Sequence, residues 1–466
     1  MTRPAYDLDI RTDPQRLRSA LAGAARTPFW LEDPGRPAPR PALMGAAETD
    51  LLIIGGGYCG LWTALQAKER DPAREVVLVE AEEIGWAASG RNGGFVEASL
   101  THGPANGRRY FAGDLEVLES LAAENFASFR DALTRHGIDA EFEEEGALSV
   151  ATEPHQVDEL RAQPGFLGPG ELPVRSPLYR AGVFHKSGNA LVHPAKLAWG
   201  LKAACEALGV RIHEHTPVTR LTDGRGTVTA TTGMGTIRSR QAVLATNGFP
   251  SLLRRNRLLT LPVYDYVLMT EPLTDAQLDE IGWHGRFGIS DASRQFHYYR
   301  KTAGNQILWG GYDAVYHRGR GIRPEFDQRP ETFNRLADHF LRTFPQLHDI
   351  KFTHTWGGMI DMSTQLAAFE GLAMNGKVAY ASGFTGLGVA ATRFAGTVML
   401  DLLSGADTPR THLKMATKRP LPIPPEPLTY PAVQAIRRAI AASDRNAGRD
   451  GLILKTANLM GFSFDS

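Results

Sequence analysis

The sequence predicts a chain of mixed class, α/β joined to α+β, with one domain assembled from discontinuous segments and a second built on an antiparallel sheet. Three observations lead there. A short apolar strand near residue 52 runs straight into a glycine turn and a helix. Two further apolar strands, near residues 244 and 380, end in small-residue turns far along the chain. The stretches between these landmarks contain β-branched and aromatic runs of strand type. The length agrees: 466 residues correspond to roughly three units of core at ~150 residues each, or to two large intertwined domains.

Composition narrows the class of function. The chain carries 51 Lys+Arg against 51 Asp+Glu, with 42% apolar and 22% charged residues, which excludes a disordered chain. A net charge of zero argues against a nucleic-acid surface, which needs a clustered basic footprint. Two cysteines, Cys59 and Cys205, cannot form a disulfide framework and fit a reducing compartment. The amino terminus has no apolar stretch of signal-peptide length, and no segment approaches ~18 consecutive apolar residues. A soluble, cytoplasmic globular protein is expected. The one oddity is 48 glycines in 466 residues, about a tenth against the usual ~7%, and the excess is clustered.

The first cluster is Gly55-Gly56-Gly57-Tyr58-Cys59-Gly60, which comes after Asp50-Leu51-Leu52-Ile53-Ile54 and precedes helix formers from Leu61 to Lys68. Strand, GxGxxG and helix in that order form a dinucleotide-binding fingerprint. Gly55 permits the turn, Gly57 lets backbone approach a pyrophosphate, and Gly60 lets helix and strand pack closely. The helix amino terminus adds free N–H groups and a partial positive charge, and Tyr58 and Cys59 lie in the glycine turn that leads to it. A second strand, Glu75-Val76-Val77-Leu78-Val79-Glu80, places Glu80 twenty residues after Gly60, where a carboxylate accepts hydrogen bonds from ribose hydroxyls. The same acid disfavours a 2′-phosphate. The domain is therefore Rossmann-like.

The segment after Glu80 separates the candidate dinucleotides. Ala88-Ser89-Gly90-Arg91-Asn92-Gly93-Gly94 is a glycine-rich loop close behind the second strand, suited to holding backbone against a flat ligand. With the GGGYCG turn and the acidic strand end, this ASGRNGG segment resembles the D-amino-acid-oxidase-like superfamily of FAD-dependent oxidoreductases, and within it the amine oxidoreductases of the gamma-glutamylputrescine oxidoreductase type. The similarity runs over nearly the whole chain from Pro28-Phe29-Trp30-Leu31 onward. It implies FAD, with Ala88 to Gly94 beside the ribityl chain and ring; the lack of His in this loop and the positions of the two cysteines point to non-covalent binding. It also implies that Val218, in Thr216-Pro217-Val218, and the Thr246-Asn247-Gly248 turn lie near the adenine half. Gly383, Gly386, Leu387, Gly388 and Val389, where a strand passes into a helix from Val389 to Leu403, would present backbone N–H groups to the flavin pyrimidine edge. The family often has His at the position of Leu387, so a side-chain role there is in doubt. Cys59 is at the wrong end of FAD for a thioether to the ring, and Cys205 is read as packed within the helix Pro194 to Leu208.

Residues 50–110, 190–260 and 355–420 are expected to form the FAD-binding domain, and 111–189 and 261–354 the substrate domain. Residues 1–49 form a lead segment. Residues 421–466 form a tail with an amphipathic helix, Ala432 to Ala442, expected to pack on its own domain. Strands are expected at Val263 to Thr270, Gln295 to Lys301 and Gln306 to Trp309, with a helix from Glu331 to Phe344, whose Phe333, Leu336, Phe340 and Leu341 recur at helical spacing.

Pocket residues are sought on the strands. In Tyr264-Asp265-Tyr266 and His297-Tyr298-Tyr299-Arg300, alternation turns one of each adjacent pair towards the flavin and the other into core or solvent. Tyr264, Tyr266, Tyr298 and Trp356 are the candidates, each either a wall around a cationic amine or plain packing. Arg91 is read as holding a phosphate or local backbone in preference to a substrate carboxylate. No HExxH, CxxC or GxSxG occurs, and His213 with His215 lacks a third ligand, so no metal site is expected. The leading expectation is oxidation of an amine of the polyamine or gamma-glutamyl-amine type. Two others stand beside it: oxidation of free or N-methylated amino acids (sarcosine, glycine or D-amino acid type), and a FAD-binding subunit without turnover of its own. The electron acceptor, oxygen or a carrier, and the oligomeric state are open.

Overall fold

The structure is a computed structural model that describes residues 4–459; residues 1–3 of the lead segment and 460–466 of the tail lie outside the described residues. The first sheet has the strand order Phe369–Ala373, Val378–Ser382, Gly235–Leu244, Gly45–Ile54, Val76–Val79, Arg211–His213, with Val228–Thr232 and Val218–Asp223 attached to Gly235–Leu244. The four central pairings are parallel, from Val378–Ser382 across to Arg211–His213. Leu51, Leu52 and Ile53 are fully buried, as expected of a strand covered on both faces. The helices Tyr58–Arg70 and Gly388–Ser404 pack on one face of this sheet and on each other.

The second sheet runs Phe352–Ser363, Thr260–Thr270, Ile307–Gly311, His297–Lys301, Gly288–Asp291, Ala147–Ala151, Ala181–His185, Phe166–Leu167. It is antiparallel except where Gly288–Asp291 meets Ala147–Ala151. Its two faces are chemically distinct. Tyr264, Tyr266, Leu268, Tyr299 and Trp309 share a core with Phe333, Leu336, Phe340 and Phe344 of the helix Pro330–Thr343 and its C-cap. The alternate residues Val267, Met269, Leu308, Tyr298 and Trp356 turn the other way and meet Trp30, Ala195 and Trp199. This second face looks towards the first sheet.

Two expectations are corrected. The helix Leu115–Arg135, expected in the substrate domain, packs against Gly388–Ser404, and its Leu118, Ala122, Phe126 and Phe129 join the core of the first sheet. The lead segment is not separate either. Gly45 to Thr49 already pair with Gly235 to Ser239, and the helix Pro14–Leu21 packs on Pro330–Thr343. The tail helix spans Thr429–Arg445, and among the described residues no helix is long and apolar enough to cross a membrane.

Candidate functional site

The turn after Gly45–Ile54 is built as closely as its glycines allow. Gly55 has φ +115°, and a Cβ there would lie 2.3 Å from Ala245 O. A Cβ on Gly60 would lie 1.9 Å from Gly55 O, so helix and strand could not approach with any other residue. Glu80 ends the second strand and turns back to this turn: its carboxylate accepts from Gly56 N at 2.6 Å, and from Glu82 N and Trp86 Nε1 at 3.0 Å. Burial raises its pKa. The backbone of Ala81 also donates to this carboxylate, so the local fold holds it firmly at the turn. Thr216 N donates to Glu80 O at 2.7 Å, so Val218 starts its strand beside the same end. Tyr58 N donates to Ser89 Oγ at 2.9 Å, which places the 88–94 loop at the amino terminus of the helix.

That loop is braced from all sides. Asn92 Nδ2 donates to Ala88 O at 2.9 Å, and its Oδ1 accepts from Gly94 N at 2.8 Å. Trp30 Nε1 donates to Asn92 O and Trp356 Nε1 to Arg91 O, both at 2.9 Å. Arg91 donates to Trp86 O at 2.8 Å and pairs with Asp327. Arg300, fully buried over the Trp30 ring, donates to Val192 O beneath Gly94. Burial lowers its pKa to about 9.

Opposite, Gly383 and Phe384 both donate backbone N–H to the Asp361 carboxylate, and Thr385 Oγ1 accepts from Ser363 N at 3.1 Å. Asp361 thus sets a turn in which Gly383, Thr385 and Gly386 all have positive φ, just before the helix Gly388–Ser404. Burial carries its pKa up to about 7 against the pull of these N–H groups. Leu387 is half-buried at the N-cap of that helix and Val389 is buried in its first turn. His102, at φ +53°, lies against the backbone of Phe384 and Thr385. The Thr246-Asn247-Gly248 turn comes after Ala245, whose N–H donates to Ile54 O, and a Cβ on Gly248 would lie 2.5 Å from Met359 Sδ.

The space between these loops and the second sheet, called the cleft below, is bordered by partly exposed polar side chains. Glu97, His102, Asp265 and Tyr298 are densely surrounded yet keep part of their surface open. A Cβ on Gly93 would touch Tyr298 Cε2 at 2.9 Å, and Phe95 meets the Tyr298 ring edge-on at 5.6 Å between centroids. Gly358 faces Arg91, and Ile360 faces Gly386. The cleft can hold a flat group between two Gly-rich loops with acid and aromatic side chains above it.

The tyrosine candidates separate here. Tyr298 faces the cleft. Tyr264 and Tyr266, 2% and 0% exposed, are on the helix side, where Tyr266 Oη donates to Phe326 O. The strand's residue on the cleft face is Asp265. Trp356 is 1% exposed and donates Nε1–H to Arg91 O, bracing the 88–94 loop. Asp361 and His102 escaped the sequence reading, because no spacing marks a residue that serves a loop distant in the chain. Cys59 and Cys205 are buried, and burial raises both thiols.

A glycine turn between a parallel strand and a helix, an acid at the end of the next strand and a second sheet facing them are the features of a dinucleotide-binding oxidoreductase fold. A sequence model of the DAO family, FAD dependent oxidoreductase, matches residues 50–402, and the chain belongs to that family. The probable oxidoreductase OrdL of Haemophilus influenzae is 26% identical over 388 residues, covering 79% of this chain and 85% of its own. Gamma-glutamylputrescine oxidoreductase of Escherichia coli is 29% identical over 399 residues, 81% and 88% of the two chains. Glycine oxidase from Geobacillus kaustophilus shares the fold with a TM-score of 0.65 at 18% identity, over 78% of this chain and 96% of that one. The protein is a FAD-dependent oxidoreductase.

Proposed function

We propose that the enzyme oxidises the C–N bond of an amine of the polyamine or gamma-glutamyl-amine type, and that the imine product hydrolyses to a carbonyl compound. FAD, when bound, would supply the two-electron acceptor for the hydride that leaves the carbon next to nitrogen. Gly55, Gly57, Gly60 and the first turn through Tyr58 and Cys59 would hold the pyrophosphate, Glu80 a ribose, and Val218 with Thr246, Asn247 and Gly248 the adenine half. Ala88 to Gly94 and Gly383 to Val389 would flank the ring.

The observation that carries the amine reading is the engagement of the cations bordering the cleft. Arg91 is paired with Asp327, and Arg300 is fully buried, donating from Nη1 to Val192 O and from Nε to Lys301 O while its Nη2 has no partner among the described residues. Neither is placed to receive the carboxylate of a free amino acid, whereas Asp265, Glu97 and two aromatic rings suit a cation. The Escherichia coli relative, named for an amine of this type, supports the same class. Anaerobic mixing with putrescine, spermidine, gamma-glutamylputrescine, sarcosine and glycine should bleach the flavin spectrum with one of the first three. Bleaching by sarcosine or glycine alone would move the substrate to amino acids. Peroxide release in air identifies oxygen as the acceptor; its absence identifies a carrier.

A further inference from the structure

Hydride can leave the carbon next to nitrogen only when the nitrogen lone pair is free. An alkylamine in water near pH 7 is almost wholly ammonium, with roughly one molecule in 10³ neutral. Some group in the cleft must therefore take a proton, unless the enzyme waits for the rare neutral form.

The cleft face of the second sheet offers one arrangement built for this. Asp265 and Tyr298 stand on strands separated by Ile307–Gly311, whose Gly310 pairs with both Val267 and Tyr298. A Cβ on Gly310 would lie 2.8 Å from Tyr298 Cζ and 2.9 Å from its Oη. The missing side chain is what lets the phenol cross a whole strand and donate its O–H to Asp265 Oδ2. Because Tyr298 Oη donates to Asp265, its lone pairs remain open to a donor from the cleft. Its ring lies against Gly93 of the cofactor loop and edge-on to Phe95, so that donor would sit beside the flavin-facing backbone.

We propose that Asp265, acting through the Tyr298 hydroxyl, accepts the proton that the substrate ammonium sheds before hydride transfer; the inference rests on the amine reading above. One N–H proton of the ammonium moves to Tyr298 Oη as the phenolic proton passes to Asp265 Oδ2. This leaves a neutral amine, an intact tyrosine and a neutral Asp265. The nitrogen lone pair then assists departure of hydride from carbon, and Asp265 returns its proton to water through the open side of the cleft.

The surroundings suit an acceptor. Burial lifts the Asp265 carboxyl to about 6, opposed by hydrogen bonds from Tyr298 and from the backbone of Tyr266 and Gly311. It is thus ionised at neutral pH, and a better acceptor than an ordinary carboxylate. Of the other charged groups, Asp313, after Ile307–Gly311, is held by Arg329, Arg335 and Arg437, and Arg91 is paired with Asp327. Glu97 and His102 also border the cleft, where burial favours the neutral form of each, and neither shares the Tyr298 hydrogen bond.

The test is the anaerobic rate of flavin bleaching from pH ~6 to ~10, with the panel amine that reduces the wild type fastest. The wild-type rate should be nearly flat above pH ~6.5. Asp265→Asn and Tyr298→Phe should be slower by roughly 10²–10³ at pH 7. Their rates should climb about tenfold per pH unit and approach the wild type near pH 10, where the amine arrives neutral. An unchanged flavin absorption spectrum in both variants verifies that the cofactor site is intact. A loss of equal size at every pH, or no loss, overturns the relay while leaving amine oxidation standing. Failure of every amine to bleach the wild type overturns the substrate reading and the relay together.

Discussion

Glu370 sits on Phe369–Ala373 with both carboxylate oxygens buried and without a hydrogen-bond partner among the described residues. Burial drives its pKa from 4.5 up to about 8, so the folded state keeps a proton that the unfolded chain releases. Where folded pKa exceeds unfolded pKa, stability falls as pH rises between them, here from about 4.5 to 8, and levels off above. Glu370→Gln removes the charge and should be more stable than the wild type by roughly 2–4 kcal/mol at pH 8.5. The gap should close towards pH ~5. Urea unfolding at the two pH values checks this, and a gap independent of pH would refute it. The tyrosines teach a different lesson at this scale. Alternation states that one of Tyr264 and Asp265 faces the flavin, but which one depends on the face the helix Pro330–Thr343 covers. A shift of parity by one residue exchanges a phenol for a carboxylate. Gly310 is likewise an ordinary strand glycine in the sequence and a gap for Tyr298 only in the sheet.

Among the elements, the 88–94 loop has no regular sheet of its own and depends on donors from elsewhere. Trp30 comes from the lead segment and Trp356 from the second sheet. Trp356→Phe keeps an aromatic ring and deletes the N–H, leaving Arg91 O without it. A hydrogen bond of this kind contributes about 0.5–1.5 kcal/mol. FAD affinity should weaken roughly 2–10-fold, read from flavin released on equilibrium dialysis; unchanged affinity would mean the loop is rigid without the bond. The helices were legible as elements. Pro330–Thr343 and Gly388–Ser404 lie within a residue of the expected spans at each end, because apolar spacing and flanking Pro or Gly mark both. The partner of Leu115–Arg135 was not legible. Its apolar residues recur at helical spacing, but periodicity reports that a face is buried without naming what buries it.

For the molecule as a whole, a dinucleotide that binds only the folded chain stabilises it by mass action. Free FAD at about 100 times its Kd should add about 2.7 kcal/mol. For a chain of this length that corresponds to a rise in Tm of a few degrees over the apoprotein, if it melts in one transition. A melt insensitive to added FAD would contradict binding at the glycine turns. Residues far apart in the chain make this site: Gly55, Glu80, Asn92, Thr246, Gly383 and Tyr298 come together only because parallel strands end on one edge and a second sheet closes over them. The sequence by itself determined that a dinucleotide-binding unit is present, because a glycine turn and an acid at the next strand end are local features of strand, glycine and helix within about 30 residues, and the ASGRNGG segment close behind them carried the resemblance to FAD enzymes. The order of classes along the chain was determined in the same way, by periodicity within single elements. Only the tertiary structure decided which sheet face the helix Pro330–Thr343 covers, and so put Asp265 in the cleft and Tyr264 in the core. It also decided that Trp356 and Asp361 serve loops distant in sequence. The physical reason is that short-range patterns specify conformation and burial, whereas orientation across a cleft is set by packing between segments far apart in the chain.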